Sequence, residues 1–176
     1  WTGKFLREHT VKRQHMQASL QVRVQRRHPR RWACASFAVK QVAQTIKYTG
    51  AVPEGTKLFG ENMFGIHSIE YDGLKSAFYL FGVQHPDGSY GAWEEVVALA
   101  EATELPTVPV VFQGEVRTDK ELKDLIETSA ALPSAASSST VLPEGFVVRV
   151  ADGFPQHEFE RRVIKYVRAN HVQTDA

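Results

Sequence analysis

The sequence contains one cysteine, Cys34, and no uncharged apolar run of the length that crosses a bilayer. A single cysteine excludes both an intrachain disulfide and a paired-cysteine metal site, and it suits a reducing compartment. The first residues, with Lys4, Arg7 and Glu8 among them, are too polar for a secretory signal. A membrane-spanning helix needs about 20 apolar residues. We therefore expect a protein that does not span a membrane, with the cytoplasm as its compartment.

Several familiar catalytic motifs are also missing. The seven histidines show neither H-E-x-x-H nor Cys/His metal spacing, and the chain has no G-x-S-x-G or G-x-x-x-x-G-K-[ST] sequence. Zinc enzymes, esterases with a nucleophile elbow and P-loop ATPases therefore have no support. Cys34, close to Trp32, is more typical of a small buried side chain than of a nucleophile.

The composition and the charge distribution are more informative. The 176 residues, 43% apolar and 23% charged, are typical of one folded domain. Residues 1–32 contain nine Lys or Arg side chains and one acid, a net charge of +8, whereas the rest of the chain carries −7. A segment of this charge is predicted to bind the phosphates of a nucleic acid. The open alternative is that residues 1–32 form a solvated arm without a specific partner. The candidate nucleic-acid contacts in this segment are Arg23, Arg26, Arg27, Arg30 and Arg31.

Apolar periodicity and turn residues predict the secondary structure. Strands are predicted at residues 19–25, 57–61, 77–83, 108–112 and 145–150, and helices at 33–48, 92–104 and from 118 onward. Thr118 and Glu121 form a T-x-x-E capping box for the last of these helices. Gly88 is expected to supply a positive φ in a hairpin-type turn at 85–89.

Two further segments complete the expected fold. Residues 130–140 are rich in Ala and Ser around Pro133, which predicts a mobile loop. Residues 159–169 fit either a helix throughout or a helix that leads into a strand at 163–168. Because the strands and helices follow one another without βαβ regularity, we expect an α+β fold with mainly antiparallel pairing.

Three charged residues occupy unusual places in the predicted strands. Glu61 closes an apolar strand, Glu144 precedes a glycine that opens one, and Lys165 interrupts another. Each alone is more typical of a strand edge or a solvent-facing position. Together they are able to bind a nucleotide with Mg²⁺, with carboxylates on the sugar hydroxyls and the hydrated metal and the lysine on a phosphate. Aromatic residues at 78, 79 and 81 offer a surface on which a base can stack.

The order of these segments resembles the covalent nucleotidyltransferase superfamily, and within it the ATP-dependent RNA ligases of the RNA-repair type, in a bacterial branch. The segments that carry the resemblance to motifs III, IIIa, IV and V are Phe59–Glu61, Phe78–Val83, Glu144–Arg149 and Ile164–Tyr166. The flanks at 60–71 and 165–174 are also similar, and the whole match covers residues 52–174. The resemblance implies a nucleotidyltransferase domain at 33–176, with the antiparallel sheets of an ATP-grasp-like ligase adenylation domain, after the basic segment 1–32. It also implies binding of ATP or AMP and of RNA ends for phosphodiester sealing.

The resemblance assigns a role to each matching residue. It implies that Glu61 contacts the ribose hydroxyls, that Phe81 stacks on adenine with Phe78 as a second candidate, and that Lys165 contacts the α-phosphate. Glu144 is implied to organise the Mg²⁺ ion. The family's motif V has a second lysine two residues after the first, and this chain has Val167 there, followed by Arg168.

The family's motif I is the main departure. Its K-x-(D/H/N)-G lysine accepts AMP as a phosphoramidate, and no such sequence occurs in these 176 residues. Lys47 begins a K-x-x-G sequence, but it lies 14 residues before Glu61, closer than the family's nucleophile lies to motif III. We therefore expect the equivalent lysine upstream of Trp1, a domain that lacks its N-terminal part, and no self-adenylylation by this chain.

Two other interpretations stay open at this point. The chain is alternatively a non-catalytic nucleic-acid-binding module that uses its basic arm, an interpretation favoured by the net charge of +8 and by the missing motif I. A guanylyl-transferring or DNA-directed relative is less favoured, because the flanking segments resemble RNA ligases.

Overall fold

The computed structural model describes residues 16–22, 52–63, 73–136 and 140–168, and of 16–22 it describes the backbone. The predicted helix at 33–48, Cys34 and Lys47 lie outside the described residues. The same holds for the candidate nucleic-acid contacts Arg23, Arg26, Arg27, Arg30 and Arg31.

The described elements alternate between strands and helices. The strands are β1 (Met16–Val22), β2 (Lys57–Asn62), β3 (Phe78–Gln84), β4 (Val110–Val116), β5 (Gly145–Val150) and β6 (Val163–Val167). The helices are α1 (Trp93–Ala102), α2 (Asp119–Ala130) and the short α3 (Phe159–Arg162), which follows a 3₁₀ turn at Gln156–Glu158. This is the expected α+β class, because every ladder between these strands is antiparallel. None of the helices in the described part combines the length and apolar character needed to cross a bilayer.

The larger sheet has the strand order β4-β1-β5-β6. Its strand β4 lies at an edge of the described sheet and begins directly after Pro109. The sequence predicted this strand at 108–112, which is wrong at both ends. The amide of Val108 donates to the carbonyl of Leu80 in β3 at 3.0 Å, and a proline has no N–H to donate to a ladder. The chain therefore joins the larger sheet only from Val110.

Helix α2 covers one face of this sheet. Its start confirms the predicted capping box, because the Glu121 amide donates to Thr118 Oγ1 at 3.1 Å and the Thr118 amide donates to Glu121 Oε2 at 3.3 Å. The apolar face of α2 packs on β5 and β6 and forms the first hydrophobic core. The buried members of this core are Leu122, Ile126, Ala130, Phe146, Val148 and Tyr166.

Strands β2 and β3 form a separate two-stranded sheet that α1 covers. The buried residues of this second core are Tyr79, Leu80, Val83, Trp93, Val96, Ala100, Val108 and Ala151. The turn after β3 confirms the predicted hairpin type, since Gly88 has φ +87° and its amide donates to the His85 carbonyl at 2.9 Å. Tyr90 then bridges back to Gln84.

A β-bulge interrupts the pairing of β2 with β3. Phe59 lies opposite Gly82 and Gly60 lies opposite Leu80, so Phe81 is an extra residue in β3. Bulges redirect side chains and bend a strand, and they are frequent beside active sites.

Two segments had no single predicted secondary structure or were predicted to be a loop. Residues 159–168 follow the second alternative, a short helix that leads into a strand, because α3 ends at Arg162 and β6 begins at Val163. Within the predicted loop 130–140, Ala130 still belongs to α2, and Ser134 and Ala136 are buried. The mobility of this loop stays a prediction.

Candidate active site

Lys165 lies on the face of the larger sheet that is turned away from α2. It stands opposite Val147 in the β5–β6 ladder. Their neighbours Phe146 and Tyr166 are buried in the first core, against α2. Because successive residues of a strand point to opposite faces, Lys165 and Val147 share the other face.

Arg149 shows what that other face is turned towards. It lies two residues beyond Val147 in β5 and therefore on the same face. Its Nη1 donates to the carbonyl of Phe81 in β3 at 3.3 Å, and its Nη2 donates to the carbonyl of Gly91 at 2.8 Å. The face that carries Lys165 is therefore turned towards the β2–β3 hairpin.

Glu61 lies in β2, opposite Tyr79 of β3. Phe59 precedes it by two residues in β2 and shares its face. The Phe59 ring lies 6.0 Å from the Tyr90 ring, and Tyr90 stacks on Phe154 at 5.2 Å. The Arg149 guanidinium lies 5.8 Å from the centre of the Phe154 ring. Ring contacts thus link the strand that carries Glu61 to Arg149, which lies on the same face of the larger sheet as Lys165.

Glu144 lies at the start of β5, beside the end of β6. Its side chain is buried, and its carbonyl accepts a hydrogen bond from the Arg168 amide at 3.0 Å. Gly145 makes this approach possible, because a Cβ at that position would overlap the Tyr166 carbonyl oxygen. Glu144 is therefore held within three residues of Lys165 along the neighbouring strand.

The two candidate stacking residues have different places. The Phe78 ring covers Gly60, where a Cβ would overlap it, and alternation puts Phe78 on the hairpin face opposite to that of Glu61. Phe81 is half-buried and occupies the bulge whose carbonyl binds Arg149. Both rings pack against the second core, and Phe81 differs from Phe78 in that its carbonyl binds Arg149.

The arginine that links the two sheets is a buried charge. Arg149 is 6% exposed, and burial lowers its pKa, an effect that the nearby carboxylate of Glu94 opposes. An arginine is nevertheless charged at any physiological pH. Within the described ranges, no group of three or more His, Cys, Asp or Glu side chains is placed to hold a metal ion.

Sequence reasoning missed two features of this region. Arg149 received no role, although an arginine among the buried valines of β5 is itself unusual. The ring cluster formed by Phe59, Tyr90, Phe154 and Phe159 was not anticipated either. Its members come from segments that are far apart in the chain, so no local spacing reveals it.

The comparison with family models identifies the family of the chain. Residues 4–167 match the family model described as RNA ligase. Among solved structures, the chain is similar to one titled "Naegleria gruberi RNA ligase with PPi", with a TM-score of 0.52 and 19% identity over 86% of this chain and 50% of that chain. At this identity the likeness shows a shared fold, and the chain spans about half the length of the Naegleria protein. No curated protein matches the chain.

Proposed function

The chain belongs to the RNA ligase family, and we propose that the cleft between its two sheets binds an adenine nucleotide and one end of an RNA for phosphodiester sealing. In this proposal Glu61 binds the ribose hydroxyls, Phe81 stacks on adenine, and Lys165 binds the phosphate next to the adenosine. The proposal extends to RNA repair in the cytoplasm as the setting, which rests on the family resemblance and on the single cysteine.

One observation carries the proposal. Arg149 of β5 donates to the carbonyl of Phe81 in β3 at 3.3 Å. This bond joins β3, the strand of the proposed stacking residue, to the sheet that carries Lys165. Lys165 pairs with Val147, which lies two residues from Arg149 in β5, a distance of about 7 Å. An adenosine monophosphate is long enough to contact both sides of such a cleft.

We propose that a magnesium ion arrives with the nucleotide. Mg²⁺ is usually held by one or two carboxylates together with substrate phosphates and water. Glu144, buried at the start of β5, is the carboxylate proposed for this role. When bound, the ion would neutralise phosphate charge, and the remaining work falls to the side chains of the chain itself.

The proposed reaction is the joining of a pre-adenylylated RNA to a second RNA. The 3′-hydroxyl oxygen of one RNA forms a bond to the 5′-phosphorus of the other, the bond from that phosphorus to the AMP phosphate oxygen breaks, and AMP leaves as the hydroxyl proton passes to solvent. Catalysis of such transfers is mainly positioning and charge neutralisation. The Lys165 ammonium stabilises the negative charge of the phosphates, and Glu61 with Phe81 orients the adenosine.

The test is the sealing of two RNA oligonucleotides, one of them 5′-adenylylated, with Mg²⁺ and without ATP. We expect wild type to join them and Lys165→Ala and Glu144→Gln to lose about 100-fold or more in rate, the scale of removing one preorganised electrostatic group. Lys120→Ala is the matched control, because Lys120 is exposed on α2 and pairs with Asp124 at 2.7 Å. Absence of joining by wild type, or equal rates for Lys165→Ala and Lys120→Ala, would refute the proposal.

A second arm of the test concerns the missing motif I. Incubation of these 176 residues with ATP labelled at the α-phosphate is expected to leave no acid-stable lysine-linked label, because no K-x-(D/H/N)-G sequence is present. A label that survives Lys165→Ala but disappears with Lys47→Ala would identify Lys47 as the nucleophile instead.

The charge of residues 1–32, of which 16–22 form β1 in the larger sheet, favours a second candidate function, non-catalytic RNA binding through this segment. Each phosphate neutralised on single-stranded RNA contributes about −0.7 to the slope of log affinity against log salt concentration. Steep salt dependence that is indifferent to ATP, Glu61→Ala and Glu144→Ala would support this candidate. Binding that responds to ATP and to those substitutions would support the cleft.

A further inference from the structure

We propose that Arg149 is a positioning residue that fixes the adenine-binding side of the cleft against the phosphate-binding side. The expected effect on nucleotide binding rests on the proposed function. The contact between the two sheets does not depend on it. Arg149 belongs to β5, whereas two of its three hydrogen-bond acceptors belong to the segment that contains β3 and the turn after it.

The guanidinium reaches both sides of the 85–89 turn. Its Nη1 donates to the carbonyl of Phe81, before the turn, at 3.3 Å, and its Nη2 donates to the carbonyl of Gly91, after the turn, at 2.8 Å. A third bond, from Nε to the Val150 carbonyl at 3.1 Å, fixes the side chain on its own strand. One side chain thus joins three main-chain positions, in β3, in the segment after the turn and in β5.

Burial makes these bonds consequential. Arg149 is 6% exposed, and the Phe154 ring lies under the guanidinium at 5.8 Å. A buried guanidinium that loses its acceptors is costly, because water cannot replace them. The side chain is therefore confined to the position in which it holds Phe81 and Gly91.

The acceptor at Phe81 connects this contact to the cleft. Phe81 is the extra residue of the β-bulge, so its main chain lacks a direct partner residue in β2. The hydrogen bond from Arg149 fixes this carbonyl, and with it the main-chain position from which the Phe81 side chain extends. On the opposite side, Arg149 and Lys165 belong to adjacent strands of one sheet. A displacement of the reacting groups by about 1 Å is enough to slow a reaction about 100-fold.

Lysine is an informative replacement at this position. It keeps the positive charge, but its ammonium is a compact group that lacks the planar fork with which arginine reaches two carbonyls in different directions. Arg117→Lys is the matched control, since Arg117 lies on the surface and binds Glu115 at 3.0 Å.

The experiment has two readouts on the same proteins. The first is hydrogen exchange of backbone amides, for which we expect Arg149→Lys to raise exchange about 10-fold or more in residues 78–84 and 90–92 and to leave α2 unchanged. The second is the fluorescence of 2-aminopurine riboside monophosphate, which stacking on an aromatic ring quenches. We expect Arg149→Lys to weaken binding of this probe about 10-fold or more and to reduce the quenching of the bound probe, while Arg117→Lys behaves as wild type.

The outcomes separate the two proposals. Local loosening together with weaker, less quenched probe binding supports the positioning role. Local loosening in a wild type that binds no probe refutes the proposed function and leaves the contact between the sheets established. Unchanged exchange in residues 78–84, or loosening without any change in probe binding, overturns the positioning role.

A second variant covers the case in which Arg149→Lys does not fold. Phe154→Leu removes the ring under the guanidinium but keeps all three acceptors of Arg149. We expect it to raise exchange in residues 78–84 about threefold, less than loss of the bonds themselves. Exchange identical to wild type in that segment would overturn the proposal.

Discussion

Gly145→Ala is expected to destabilise the protein strongly, because β5 and β6 approach each other too closely at this position for a side chain. A Cβ on Gly145 would overlap the carbonyl oxygen of Tyr166 and lie 3.0 Å from Cα of Val167. Both are main-chain atoms of the neighbouring strand, so no side-chain rotation relieves the overlap. Forcing an extra methyl group into a well-packed site typically costs about 1–3 kcal/mol. We expect the upper end of that range, since moving β6 also weakens the bond from the Arg168 amide to the Glu144 carbonyl.

Urea unfolding followed by circular dichroism measures this effect. With a slope of about 2 kcal/mol per M, a loss of about 3 kcal/mol lowers the midpoint by about 1.5 M. Gly82→Ala is the matched control, because its Cβ would lie 3.6 Å from Cβ of Phe59, an ordinary contact. The free energy of unfolding of Gly82→Ala is expected to stay within about 1 kcal/mol of wild type. Alanine lowers the conformational entropy of the unfolded chain, which offsets a small cost in the folded state. A midpoint for Gly145→Ala equal to that of Gly82→Ala would refute the reasoning.

Two further predictions concern local hydrogen bonds. Thr118→Ala removes the oxygen that accepts a hydrogen bond from the Glu121 amide at 3.1 Å. We expect the free energy of unfolding in urea to fall by about 1 kcal/mol. Thr128→Ala, later in the same helix, is the control, and an equal loss for both variants would argue against the cap. Hydrogen bonds from Ser89 lower the pKa of Asp87 below its ordinary 3.8, so the stabilisation is present above that pH and is lost as the pH falls through the lowered value. Ser89→Ala is expected to raise the Asp87 pKa towards 3.8 in a carbon-detected NMR titration, and an unchanged titration would contradict the assignment.

Features with a local cause could be predicted from the sequence. The capping box at Thr118 and the turn at Gly88 each depend on residues within a few positions, and both occur as predicted. The α+β class followed in the same way from short apolar strands between helical segments. Lys165 and Glu61 could be selected as candidate site residues because a charged residue in an apolar strand is unusual and is visible in the local sequence.

Features that depend on distant partners could not be predicted. The start of β4 was misplaced because the Val108 amide bonds to Leu80, 28 residues away in the chain. The contact of Arg149 with β3 was missed because its acceptor at Phe81 is 68 residues away and is a main-chain carbonyl, which every residue has. The bulge at Phe81 arises from how two strands pair, and neither strand alone contains that information.

The most direct test of the adenine-nucleotide cleft is a crystal structure of the protein with AMP and Mg²⁺. We expect the adenine on the Phe81 ring, the ribose hydroxyls within hydrogen-bond distance of Glu61, and the phosphate next to the Lys165 ammonium. AMP bound on another surface, or a structure in which Glu61 and Lys165 point to different surfaces, would contradict the account.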